Sequence, residues 1–133
     1  MIKSEEIEKA SDALKSLEEI AKGAKSIAAN LAFAASKARE AGSISTRVYD
    51  DILDLVDQTG RTTSDMSRMI RVVGMEVGRL YKLSRHGDIE LEKDRELIDK
   101  IERSLDAVLA ESQRVLYMVK RLKSVSANNK LIS

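Results

Sequence analysis

Apolar side chains return at intervals of three and four along most of this chain, the period of α-helices that bury one face. The register is cleanest near the start, where Ile7, Ala10, Leu14, Leu17, Ala21, Ala24, Ala28, Leu31, Ala35 and Ala38 follow a heptad. Ala13, Ile20, Ile27 and Ala34 widen that stripe on one side. Such breadth suits a bundle interior better than the narrow seam of a two-stranded coil. The pattern predicts a first helix from about Ser4 to Ala41. Ser4 is its candidate cap, Glu5 and Glu6 face the positive end of its dipole, and Gly42 is a natural stop.

A short second helix is predicted from Thr46 to Gln58, entered through Ser43 or Ser45 and ended by Thr59-Gly60. Val48, Ile52, Leu55 and Val56 give its inner face. Asp50, Asp51, Asp54 and Asp57 gather on the outer one. A third helix is predicted from about Thr62 to His86. Thr62 would cap it, Asp65 would be a weak capping-box partner, and Gly87 would stop it. Its apolar face is Met66, Met69, Ile70, Val73, Val77, Leu80 and Tyr81, and Arg68, Arg71, Arg79, Lys82 and Arg85 form a basic stripe opposite. The last helix is expected from about Asp88 to Ser124, before a frayed tail of residues 125–133. Leu91, Ile98, Ile101, Leu105, Val108, Val115, Val119 and Leu122 hold its seam, Leu97, Leu109 and Leu116 lie beside it, and Asp94 and Ser112 are polar exceptions within it. Glu96 with Lys100, and Asp99 with Arg103, are spaced to pair along that helix.

At 1.5 Å per residue the first and last helices each reach about 55 Å, and the middle two together come close to that length. The fold expected is therefore all-α: an elongated antiparallel bundle of three long rods, the middle one broken near Gly60. A four-helix bundle is the alternative. The 133 residues fit a single domain.

Composition sharpens this picture. Aromatics make up 3% of the chain and proline and tryptophan are absent, so the core must be built from thin aliphatic layers. The absence of cysteine removes disulfide frameworks and thiolate metal sites. The opening residues MIKSEEIEKA lack the apolar stretch of a signal peptide. No apolar run approaches the ~20 residues needed to cross a bilayer, so membrane insertion is not expected. Net charge is +1, but it is uneven. Residues 1–66 hold 9 Lys/Arg against 12 Asp/Glu, and residues 67–133 hold 14 against 10.

Several constellations imitate chemistry without completing it. Gly74 and Gly78 have the spacing of a membrane dimerisation motif, but Arg71, Glu76, Arg79 and Lys82 surround them. Local bending or a close helix contact is the expected role. Asp88, Glu90, Glu92, Asp94 and Asp99 alternate like a calcium loop, yet Lys93 stands where the sharp turn requires glycine. His86 is the sole histidine and has no cysteine or second histidine to join in a metal or nucleophile site. No catalysis, cofactor or metal is expected.

The segments SDALKSLEEIAKGAKSI and GDIELEKDRELIDKIERSLDAVLAESQRVLYMVKRL, with Asp94-Arg95 before Leu97-Ile98-Asp99-Lys100-Ile101, resemble the helical transfer proteins of conjugative transposons. These are related to the minor pilus components of type IV secretion. The resemblance covers about half the chain and departs from the family in the missing export signal and the scarce aromatics. It implies a non-enzymatic, envelope-exposed assembly part, exported if a signal is removed and otherwise cytoplasmic. It transfers no functional residue.

The reading that follows is a structural and interaction protein with protein partners, and a homo-oligomer is an option. The residues chosen for contact are the acids at 50, 51, 54 and 57 and the bases at 68, 71, 79, 82 and 85. A nucleic-acid-binding accessory protein using the basic stripe is the runner-up, disfavoured by the low net charge and the lack of stacking aromatics. An engineered bundle is a further alternative, opposed by the irregular glycines and seam polar residues.

Overall fold

The computed structural model describes residues 4–85 and 95–131. Among them are three helices packed against one another: α1 (Ser4–Glu40), α2 (Thr46–Arg85) and α3 (Arg95–Asn128). The start expected for the last helix, at Asp88, lies outside the described residues, as do the side chains of Ser4, Glu5 and Glu6.

The α1 stripe is buried along most of its length, but Ala10 and Ala38 are only half-buried and Ala13, expected to widen it, is exposed. Ala21, Ala24, Ala28, Leu31 and Ala35 are each no more than 3% exposed. Alanine at so many inward positions lets the neighbouring helices approach closely. At its end, Gly42 has φ of +77°, Gly42 N–H donates to Arg39 O, and Ser43 N–H donates to Ala38 O. That pair of bonds and the left-handed residue form a Schellman stop, where glycine carries no Cβ penalty. Of the two serines considered as the next cap, Ser45 serves. Its Oγ accepts from Val48 N–H at 3.1 Å.

The main correction concerns α2. It does not end at Thr59-Gly60 but runs unbroken through both. Gly60 has no positive φ and so cannot act as a helix stop. Thr59, Thr62 and Thr63 donate their hydroxyls to the carbonyls of Leu55, Gln58 and Gly60 within the same helix. Thr62 is therefore neither a cap nor half of a capping box. With its hydroxyls satisfied locally, this stretch continues the inward-facing register from Leu55 to Met66. Packing then outweighs the ~1 kcal/mol that an interior glycine costs relative to alanine.

The core has two parts. In the larger, Leu14, Leu17 and Ala21 of α1 meet Met66, Val73 and Val77 of α2 and Ile101, Val108 and Val115 of α3. In the smaller, Ala28, Leu31 and Ala35 of α1 meet Ile52 and Leu55 of α2 and Leu122 of α3. The first half of α1 thus packs on the second half of α2. Buried Thr59 and Thr63 lie on α2 between the two clusters.

α3 extends past the predicted end at Ser124 to Asn128. Of the tail expected to fray from residue 125, residues 125–128 are instead helical and 129–131 cap the helix, while 132 and 133 lie outside the described residues. Leu131 N–H donates to Ser126 O, Lys130 N–H donates to Ala127 O, and Lys130 takes φ of 55°. Leu131 then folds back onto the smaller core cluster.

Candidate interaction surface

Because α2 is continuous, the two charged groups singled out in the sequence share one outward-facing surface. Asp50, Asp51, Asp54 and Asp57 are exposed in its first third, and Arg68, Arg71, Arg79 and Lys82 are exposed beyond its middle. Arg85 is the last residue of the helix, and its side chain lies outside the described residues. The first turn of α2 holds no acid and carries exposed Arg47, so the helix dipole does not account for this arrangement.

Only the junction between the two groups is neutralised internally. Asp57 Oδ2 lies 2.9 Å from Arg61 Nη2, and Asp65 pairs with Arg68. Among the described residues, Asp50, Asp51, Asp54, Arg71, Arg79 and Lys82 form no ion pair. A break at Gly60 would let the two halves fold face to face. The unbroken helix holds them apart instead: residues 54 and 79 are separated by about 37 Å along the axis.

Sequence reasoning missed two features of this surface. Arg61 and Asp65 join the stripe at its centre. Met75 is 76% exposed and Val72 48% exposed, so the basic half carries apolar side chains as well. The heptad carried across Gly60 would have revealed both, because it places positions 61, 68 and 75 on one outer line.

Other expectations change too. Lys100, expected to pair with Glu96, reaches across to α2, where its Nζ lies 3.8 Å from Glu76 Oε1. Among the described residues, Asp99 and Arg103 form no ion pair. Glu111 is nearly buried and pairs with Arg114 at 3.1 Å. Ser112, the polar exception in the α3 seam, is buried and donates to Leu109 O at 2.7 Å. Leu109 and Leu116, placed beside the seam, are about half exposed.

Gly74 and Gly78 make no close helix contact, since a Cβ at either would meet nothing within 4 Å. They line a groove of about 290 Å³ against Ile7, Glu8, Ser11 and Leu14 of α1. A second groove, of about 480 Å³, separates Arg68, Met69 and Val72 of α2 from Ser104 and Ala107 of α3. No group of three or more His, Cys, Asp or Glu residues capable of holding a metal occurs among the described residues. His86 and the calcium-like acids from Asp88 to Asp94 lie outside them, and Asp99 is exposed on α3. None of the described helices is long and apolar enough to cross a membrane.

No protein-family model matches this chain, and no curated protein or solved structure matches it significantly.

Proposed function

We propose that this chain is a non-enzymatic structural and interaction protein, an elongated antiparallel bundle whose α2 face engages protein partners. One observation carries the reading: the outer face of α2 is exposed along its length and divided into an acidic and a basic part. The buried aliphatic seams hold that face on a stiff support. Charges so arranged orient an encounter and select against wrong partners more than they add affinity. The resemblance of both ends of the chain to transfer proteins of conjugative transposons supports a role as an accessory component of a conjugative transfer or type IV secretion apparatus.

A photoreactive amino acid placed at Met75 or Asp54, with exposed Ala29 of α1 as the control, tests the reading in the cells that make the protein. Protein adducts from the α2 positions and none from position 29 are expected. Absence of α2 adducts overturns it. So does tight binding of duplex DNA that weakens steeply with salt in an anisotropy titration, which would make the basic half a phosphate-binding stripe.

A further inference from the structure

We propose that the α2 face pairs with the same face of a second copy, antiparallel, so that the acidic part of each helix lies against the basic part of the other. The inference rests on the interaction reading above and names its partner.

The fold leaves charge at both ends of α2 without a partner among the described residues. Asp50 and Asp54 near one end of α2, and Arg79 and Lys82 near the other, are exposed and form no ion pair among the described residues. One continuous helix cannot bring its own ends together, so their complementarity is satisfied only from outside. A second copy laid parallel would set acid on acid and base on base. Laid antiparallel, it meets opposite charge at both ends, about a two-fold axis near Arg68. Like charge at that axis is reduced because Arg68 already pairs with Asp65 on its own helix. With the axis at Arg68, Asp54 lies opposite Lys82, Asp57 opposite Arg79, and Met75 opposite the aliphatic stem of Arg61. An isologous contact of this kind closes on itself and stops at two copies.

Exposed ion pairs are individually weak and screened by salt, so the dimer is expected to be weak and salt-sensitive. Sedimentation equilibrium on the full chain reads this directly. Raising NaCl from about 50 mM to about 500 mM should shift the monomer–dimer midpoint upward by roughly tenfold. Reversing one end with Asp54→Lys and Asp57→Lys should abolish the dimer, and so should Arg79→Glu with Lys82→Glu. An equimolar mixture of the two variants should associate again, because opposite charge is restored between positions 54 and 82 and between 57 and 79 on both sides of the axis. Lys15→Glu with Lys22→Glu on the outer side of α1 should leave the dimer intact, and circular dichroism verifies that every variant keeps its helix.

A parent chain that is monomeric at low salt overturns the proposal. So does a dimer indifferent to both reversals, a mixture that fails to associate, or open-ended assembly beyond two copies. If the chain is monomeric while α2 positions cross-link to a different protein, self-pairing fails and the interaction reading stands. If those positions cross-link to nothing, both fail.

Discussion

Thr59 donates its hydroxyl to the carbonyl of Leu55 at 2.7 Å, one turn back along α2, while the whole residue is sealed from solvent. The bond explains how a polar residue can occupy an inward position. The hydroxyl is satisfied by its own helix, and no partner is required from α1 or α3. Thr59→Val keeps the shape and removes a group whose burial offsets most of its bonding. It is expected to leave stability unchanged or raise it by about 1 kcal/mol. Thr59→Ala, which opens a small void, should lower stability by about 1–2 kcal/mol. Urea unfolding followed by circular dichroism separates the two outcomes.

Gly60 gives the sharpest test of α2 continuity. An added Cβ meets nothing within 4 Å, and the backbone there is helical. Gly60→Ala should therefore stabilise the protein by about 0.5–1 kcal/mol. Gly42→Ala should do the opposite, by about 1 kcal/mol, because φ at that position is +77°. Were the helix to stop at residue 60 in a left-handed turn, the two substitutions would behave alike.

Lys130 occupies a left-handed position at the end of α3 that glycine fills more cheaply. Lys130→Gly is expected to raise the unfolding midpoint, by up to about 1 kcal/mol in free energy. Leu131→Ala should reverse that gain by removing the side chain that folds back onto the core. Amide exchange at Asn129, Lys130 and Leu131 would register both effects locally.

Glu76 keeps only 10% of its side chain exposed, its Oε2 has no hydrogen-bond partner, and Lys100 stands 3.8 Å from Oε1. Glu76 gives up hydration while Lys100 stays 64% exposed and distant, so the pair repays little of the carboxylate's cost. Glu76→Met should thus stabilise the α2–α3 contact by about 1 kcal/mol. Lys100→Met should destabilise it by a similar amount, since the carboxylate would lose its counter-charge. The contrast is measurable as opposite shifts in denaturant midpoint.

Leu122 and Leu116 lie six residues apart with opposite surroundings, one sealed in the smaller core cluster and the other 48% exposed. Leu122→Ala is expected to cost about 2–5 kcal/mol and Leu116→Ala less than about 1 kcal/mol. Chemical denaturation of the two variants side by side measures the difference.

The helical content, the α1 stripe and the stop at Gly42 were legible because each rests on local rules: a repeat of three and four, and a glycine at its end. The break near Gly60 was misread for an equally local reason. Threonine was counted as polar and glycine as a stop, whereas the decisive term was tertiary burial of the whole 59–63 stretch. The charged residues of α2 were identifiable from spacing alone, but their common surface was not, because that depended on continuity through residue 60. Lys100 shows the same limit: spacing offered Glu96 along the helix, and only packing brought Glu76 within reach.

The division of the apolar interior at Thr59 and Thr63 bears on how the molecule yields under stress. All three helices run through both clusters, so an opening near Leu122 is transmitted toward Val108 by three backbones rather than by a shared greasy interior.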